Sequence, residues 1–177
     1  LIMLLGLVAI ALVLLLCIRK DETPSLQVIR EENPAALSEE EMYAENDTYK
    51  DDGRVMQGSV GDSMAVFLQH QKDLMDLDAD IYGRQSDNAD WRLLCNVPGV
   101  EAPDCVYQLT CEGNDEYVLL YLGTGSISHI EAEKEDGSAW IINPEMGKPF
   151  AYVMKHSWNV VIYDAEGSAM APALVAR

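Results

Sequence analysis

Basic residues are scarce in this chain. Its 177 residues include 12 Lys and Arg against 30 Asp and Glu, which gives a formal net charge of −18. Proteins that bind nucleic acids gather several cations on one face to neutralise phosphates. The sequence has no such basic patch, so we expect no nucleic-acid partner. The excess of acids also disfavours adsorption to anionic lipid.

Motifs of the common enzyme classes are missing as well. The chain has no Gly-x-Ser-x-Gly, no His-Glu-x-x-His and no Gly-x-x-x-x-Gly-Lys pattern. Its three histidines are His70, His129 and His156, and His129 follows Ser128 directly. A histidine acts as a base only within hydrogen-bond reach of its partner. We therefore predict no catalytic residues and no cofactor, and a carboxylate close to His129 or His156 would indicate an unrecognised enzyme.

Cysteines are few, and their spacing does not suit a metal. Cys95, Cys105 and Cys111 stand ten and six residues apart with no histidine nearby, unlike the ligands of a zinc site. On one strand, Cys105 and Cys111 would lie about 20 Å apart, too far for a disulfide. We predict a Cys95–Cys105 disulfide across a hairpin, with Cys95–Cys111 in a shifted register as the alternative. In a cytoplasmic domain all three would be reduced.

Charge is absent from residues 1–18, and Arg19 and Lys20 come directly after them. As a helix this run would be about 27 Å long, close to the thickness of a bilayer core. We predict a transmembrane helix or signal anchor, because a cleaved signal peptide, the alternative, has a shorter apolar region. Arg19 and Lys20 favour a cytoplasmic position for the rest of the chain. However, a single anchor before one soluble domain usually displays that domain outside, so we expect the extracytoplasmic side.

Large apolar residues are rare in residues 19–57, which we predict to be an acidic spacer. Residues 21–52 contain eleven acids against two bases. Ser38 and Glu41 have the spacing of a capping box, with Leu37 and Met42 placed as a hydrophobic staple. The spacer is therefore expected to contain short helices.

Residues 58–177 are predicted to form one globular α+β domain. A helix capped by Asp62 or Ser63 is expected to run to about Leu77, because apolar residues recur there at helical spacing. These residues are Met64, Phe67, Leu68, Leu74 and Met75.

From Trp91 onward the apolar period changes to two, which predicts strands. The strands are expected at 91–97, 105–112, 116–122, 126–133, 138–143, 150–155, 158–164 and 169–175. Because the links are short, consecutive strands should pair in antiparallel fashion. The expected fold is one amphipathic helix packed on an antiparallel meander of about six to eight strands. Both faces are apolar in 116–122 and 158–163, so these two strands should be central.

One acidic segment has the ligand chemistry of a calcium loop. Asp76, Asp78 and Asp80 supply carboxylates at alternate positions, and Asp87 would be the twelfth residue of such a loop. The sixth position is Ile81 rather than the glycine that the sharp turn of an EF-hand-type loop requires. Calcium is therefore a candidate ligand of these four residues, and an acidic helix end is the alternative.

The function expected from these features is that of a membrane-anchored binding or sensing domain without catalytic activity. An anchor with a spacer after it positions a domain away from the membrane, where we expect a protein partner. One alternative is a pilin-like filament subunit or another structural component of a membrane assembly, since such subunits also combine an apolar N-terminal helix with an α+β domain. The other alternative is an unrecognised membrane-tethered enzyme.

Overall fold

The computed structural model describes residues 28–29, 34–51, 55–70, 77–86, 89–99, 105–157 and 159–176. In this part of the chain the fold is mostly β, with twelve strands in three four-stranded sheets and one short helix. The predicted α+β class is therefore wrong. No helix within the described residues is long and apolar enough to cross a membrane. The predicted anchor, residues 1–18, lies outside them.

The three sheets are named here I, II and III. Sheet I contains, in spatial order, β1 (Val55–Val60), β2 (Met64–His70), β3 (Leu77–Gly83) and β4 (Arg92–Pro98). Sheet II contains β12 (Ala173–Ala176), β5 (Tyr107–Thr110), β6 (Glu116–Tyr121) and β9 (Phe150–Lys155). Sheet III contains β11 (Ala169–Met170), β10 (Asn159–Asp164), β7 (Ile127–Glu133) and β8 (Ala139–Ile142). The helix, α1, is Glu39–Asp51.

The helix predicted from Asp62 or Ser63 to Leu77 is absent, and β2 occupies most of its described part. Met64, Val66 and Leu68 face a core shared with sheet II, whereas Ala65 and Phe67 face the side that α1 covers. Both faces of the strand are thus buried, so its sequence is continuously apolar from Met64 to Leu68. Such a short run also matches helical spacing, and the pattern alone does not separate the two structures.

The single meander predicted from residue 91 onward is also wrong, because its consecutive strands pair only at β5–β6, β7–β8 and β10–β11. The short links after β6 and β9 carry the chain between sheets II and III instead of returning it to a neighbouring strand. In addition, β12 pairs with β5 in parallel. A turn of a few residues can join strands in two stacked layers as readily as two strands of one sheet, so link length did not determine pairing here.

Sheet II is the central layer of the stack. Tyr107, Leu109, Val118 and Leu120 pack against sheet I on one face. On the other face Tyr117, Leu119, Tyr121 and Phe150 pack against sheet III. All six residues of β6 are buried, which confirms the predicted central strand at 116–122. β10 also lies between two strands, β11 and β7, but the prediction that both faces of 158–163 are covered is wrong, because alternate residues of β10 are partly or fully exposed on the outside of sheet III.

The predicted capping box is confirmed at the start of α1. The Ser38 amide donates to Glu41 Oε2 at 2.8 Å, and the Glu41 amide donates to Ser38 Oγ at 3.2 Å. Leu37 and Met42 both join the core that α1 forms on sheet I, as the staple requires. The hydrogen bonds from Ser38, that of its backbone amide above all, lower the pKa of Glu41.

Two points of the predicted spacer pair with the edge of sheet I. Ile29 exchanges backbone hydrogen bonds with Asn96 in β4, at 2.9 and 3.0 Å. Leu37 does the same with Trp91, at 2.8 and 2.7 Å. These bridges satisfy part of an edge that would otherwise present unpaired amides and carbonyls.

One buried carboxylate joins sheets I and II. Glu116, which is 6% exposed at the start of β6, accepts the amides of Asp62, Ser63 and Met64 at 2.9, 2.7 and 2.9 Å. The hydroxyl of Ser63 donates to the same carboxylate at 3.2 Å. A methyl group at Gly61 would lie 2.5 Å from both carboxylate oxygens. The glycine therefore lets the turn between β1 and β2 close around the charge.

We expect Glu116→Gln to lower the free energy of unfolding by about 2–3 kcal/mol, because an amide has only one acceptor oxygen and leaves buried N–H groups unpaired. Urea denaturation monitored by circular dichroism measures the change. Glu112→Gln, which alters an exposed acid in the turn between β5 and β6, is the matched control and should change little. Equal stability of the two variants would contradict the assigned role of Glu116.

Candidate functional site

A cleft of about 830 Å³ opens where turns of all three sheets meet. We call it the turn-end cleft. Sheet I contributes the turn between β1 and β2 and the residues after β3, sheet II the turn before β6 and the end of β9, and sheet III the turn between β7 and β8. The lining residues are Asp62, Ser63, Gln85, Ser86, Gly113, Asn114, Asp115, Glu116, Lys134, Glu135, Asp136, Trp140, Lys155 and His156.

The turn-end cleft carries charges of both signs with an excess of acids. Five carboxylates line it, against two lysines. Lys155 Nζ lies 3.0 Å from Asp62 Oδ2, and this contact raises the pKa of the lysine. Both side chains are largely exposed, so the pair adds little to stability. The charges are instead accessible to a ligand.

The tryptophan of the cleft is already covered. Lys134 Nζ lies 4.9 Å from the centroid of the Trp140 ring, a cation–π arrangement. Trp140 also packs against the core between sheets II and III. Trp140 therefore does not offer an open aromatic face on which a sugar or base could stack. What distinguishes the cleft is the number of hydrogen-bonding and charged side chains that line it.

A second cleft, of about 610 Å³, continues from the first and shares Gln85 and Asn114 with it. Arg84 and Arg92 give it a cationic side, with Leu94 and Cys111 as its larger apolar groups. Arg84 lies over the buried Trp91 ring at 4.4 Å, and its Nε donates to the Asp62 carbonyl at 2.7 Å. The two clefts meet at the amide side chains of Gln85 and Asn114, and we call the clefts together the groove.

His129 lies near one carboxylate but makes no hydrogen bond to it. Its Nε2 lies 3.7 Å from Glu131 Oε1, outside hydrogen-bond distance. Its Nδ1 lies 3.3 Å from Ser128 Oγ, and its ring stacks on Tyr163 at 4.4 Å between centroids. These contacts arise between neighbours along β7 and across to β10, where His129 pairs with Tyr163. The hydrogen bond to a carboxylate that would indicate an enzyme is therefore not formed by His129 in this structure. His156 is one of the residues that line the turn-end cleft.

The hairpin predicted to bring Cys95 to Cys105 is wrong. β4 pairs with β3, whereas β5 pairs with β6 and β12 in a different sheet. All three cysteines nevertheless contact the same core between sheets I and II, Cys95 at its centre and Cys105 and Cys111 at its margin. No disulfide joins these described cysteines in the structure. Their pairing in the oxidised protein stays a prediction.

Two of the four calcium candidates lie on a strand instead of a loop. Asp78 and Asp80 alternate on the face of β3 that looks towards α1, and Asp76 and Asp87 lie outside the described residues. Asp80 accepts Gln69 Nε2 at 2.5 Å and Asn96 Nδ2 at 2.8 Å. No group of three or more His, Cys, Asp or Glu side chains among the described residues is arranged to hold a metal. The loop geometry is therefore not seen, and calcium binding stays a prediction.

Burial raises the pKa of Asp80, and the negative charges of Asp78 and Glu45 add to this effect against the hydrogen bonds from Asn96 and Gln69. The sequence pattern placed Asp80 in a loop and indicated neither amide partner. A signal was nevertheless present, because Gln69, Asp80 and Asn96 are polar residues inside apolar strands. This signal identifies the partners of Asp80 only when the strand register is known. In the sheet, Asp80 pairs with Asn96, and Asp78 pairs with Gln69.

The residues that line the turn-end cleft were also missed. They come from five separate places in the chain, and each place reads as an ordinary polar turn. No family model, no curated protein and no solved structure matches this chain. The site must therefore be interpreted from its own chemistry.

The raised pKa of Asp80 predicts that stability depends on pH. The folded state binds the proton more tightly than the unfolded chain, whose aspartate pKa is about 3.9. Ionised Asp80 therefore lowers the free energy of unfolding. This effect is fully present above the pKa that Asp80 has in the folded state, and it is relieved as the pH falls through that pKa. Chemical denaturation between pH 7 and pH 4 without divalent cations should therefore show wild type gaining stability relative to Asp80→Asn. A difference between the two proteins that does not vary with pH would contradict this.

Proposed function

We propose that this protein is a membrane-anchored, extracytoplasmic binding or sensing module without catalytic activity, and that the turn-end cleft holds its ligand. The observation that carries the proposal is the cleft itself, which gathers exposed charges from turns of three sheets into one concave surface. Clefts of several hundred Å³ with a few convergent polar groups are the usual form of a binding site.

The ligand class that fits best is a segment of another protein. A polypeptide offers backbone groups to the amides of Gln85 and Asn114, which lie where the two clefts join. It can also place side chains of either sign along the groove. The turn-end cleft has more acids than bases, so the part of the partner that enters it should be basic.

The predicted anchor at residues 1–18 supports the membrane part of the proposal. It would hold the domain at the bilayer surface, where a partner in the same membrane meets it at high effective concentration. Modest affinity in the cleft would then be sufficient for binding.

Site-specific photo-crosslinking in intact cells tests the proposal. With a photoreactive residue at Asn114, in the groove, the full chain should form one discrete adduct with another protein. The same residue at Glu166, in the turn between β10 and β11 at the far end of sheet III, should not. Glu135→Lys reverses an exposed charge in the cleft and should reduce the adduct several-fold, whereas Glu166→Lys is the matched control.

Three results would count against the proposal. Equal adducts from both positions, or an adduct that does not respond to Glu135→Lys, would remove the cleft from the binding site. A ladder of adducts between copies of this chain would favour a filament subunit instead.

A further inference from the structure

Two sheet edges of the described domain are closed by the chain itself. β4 pairs with two points of the preceding chain, as described above. At the edge of sheet II, the Gln57 side chain exchanges hydrogen bonds with the Ala151 backbone of β9, at 2.7 and 3.3 Å. Ser59 Oγ accepts the Val153 amide at 2.9 Å. These contacts occupy backbone groups that an edge strand would otherwise offer to another protein.

The edge of sheet III at β8 has no such cover among the described residues. β8 pairs with β7 on one side, and no described residue forms a backbone hydrogen bond with its other side. The Lys134 amide donates to the Ser138 carbonyl at 2.7 Å, where the ladder of this hairpin begins. Hydrogen-bonded and non-hydrogen-bonded pairs alternate along an antiparallel ladder. Ala139 and Ile141 therefore direct their N–H and C=O groups away from β7.

β8 also carries none of the features that discourage pairing at an edge. Edge strands are commonly protected by charged side chains, by proline or by a bulge. The four residues of β8 include no charge and no proline, although 24% of the whole chain is charged. Its register with β7 is regular, and Ile141 is 63% exposed. The edge is therefore open and apolar, which is the condition for adding a further strand.

Two glutamates lie behind this edge on the outer face of sheet III. Glu131 pairs with Ile141 and Glu133 with Ala139, so all four side chains share one face. The glutamates border a depression of about 210 Å³ that the small Ala139 also lines. No described Lys or Arg forms an ion pair with either glutamate, and His129 Nε2 lies 3.7 Å from Glu131 Oε1. The face next to the open edge is thus acidic.

We propose that β8 binds an extended segment of another protein as a further strand of sheet III, and that this segment carries lysine or arginine at alternate positions. Paired with Ala139 and Ile141, these basic residues would lie on the outer face, two strand spacings or about 10 Å from the glutamates. Their aliphatic stems can cover Ile141 while their charged ends reach Glu131 and Glu133. The residues between them would extend the core between sheets II and III, so they should be apolar.

Charge selects this occupant over a second copy of the chain. Pairing of β8 strands from two copies would place two acidic faces of sheet III side by side, in a chain whose net charge is −18. A basic segment instead brings complementary charge to this face. The surface is separate from the turn-end cleft and does not depend on the ligand proposed there.

The test uses the full chain in detergent, with a fluorescent peptide of alternating lysine and valine, about eight residues long, as the probe. Fluorescence anisotropy should show saturable binding, because the peptide supplies both the backbone pairing and the complementary charge. A peptide with glutamate in place of lysine should bind on the order of tenfold more weakly.

Two pairs of variants locate the peptide, and circular dichroism checks that each variant is folded. Ile141→Pro removes an N–H that faces away from β7, so the pairing with β7 is kept while the open edge loses a donor. It should weaken binding on the order of tenfold. Leu174→Pro is the matched control, because Leu174 is 71% exposed on β12, an outer strand of sheet II. Glu133→Gln should weaken binding several-fold, whereas Glu166→Gln should leave it unchanged.

The proposal is overturned if the lysine peptide shows no saturable binding, or if the glutamate peptide binds equally well. It is also overturned if Ile141→Pro and Leu174→Pro have the same effect, or if Asp115→Asn, which removes an acid of the turn-end cleft, abolishes binding. Sedimentation of the chain alone adds a further test, since a dimer that Ile141→Pro dissociates would assign the edge to a second copy instead. Photo-crosslinking at Asn114 reports on the cleft and is unaffected by these results, so the two proposals fail independently.

Discussion

The hydrogen bonds of Glu116 determine how sheets I and II meet at the end that carries the cleft. Three consecutive backbone amides converge on this one carboxylate, so the turn between β1 and β2 is held against the start of β6. The same turn presents Asp62 to Lys155 and its carbonyl to Arg84. Part of the lining of the turn-end cleft, together with the contacts that Asp62 makes to Lys155 and Arg84, therefore depends on one buried anion and on the absence of a side chain at Gly61.

Two carboxylates of this protein, the buried Glu116 and the half-buried Asp80, have contrasting surroundings. Glu116 is surrounded by N–H and O–H donors, which is how a buried anion is stabilised without a cation. Asp80 accepts two amide donors and faces the negative charges of Asp78 and Glu45, which together with burial raise its pKa. The two carboxylates therefore differ in the number of donors that each one accepts and in the sign of the charges near it.

Seven of the eight strands expected from residue 91 onward could be predicted because their period of two reflects burial on one or both faces of a sheet, whereas 169–175 forms two strands, β11 and β12, in different sheets. The capping box at Ser38 and Glu41 was equally local and was also correct. β2 was mistaken for a helix because both its faces are buried, so no alternation survives in Met64–His70. The stacking of three sheets was not predictable from link lengths. The cleft depends on that stacking, and so its residues could not be grouped from the sequence.

The way the chain closes one edge of sheet I bears on how this domain can recognise a partner. An exposed edge strand can bind another protein by adding its backbone to the sheet. At the β4 edge, the chain itself already supplies such backbone pairing. Ile29 pairs with Asn96, and Leu37 pairs with Trp91. Val28 and Leu37 also pack against the cores on either side of the sheet. A partner would have to displace both backbone and side-chain contacts there, whereas the turn-end cleft is already open. Recognition through side chains and turns is therefore less costly than pairing with β4, because Val28, Ile29 and Leu37 already stabilise this edge of the domain.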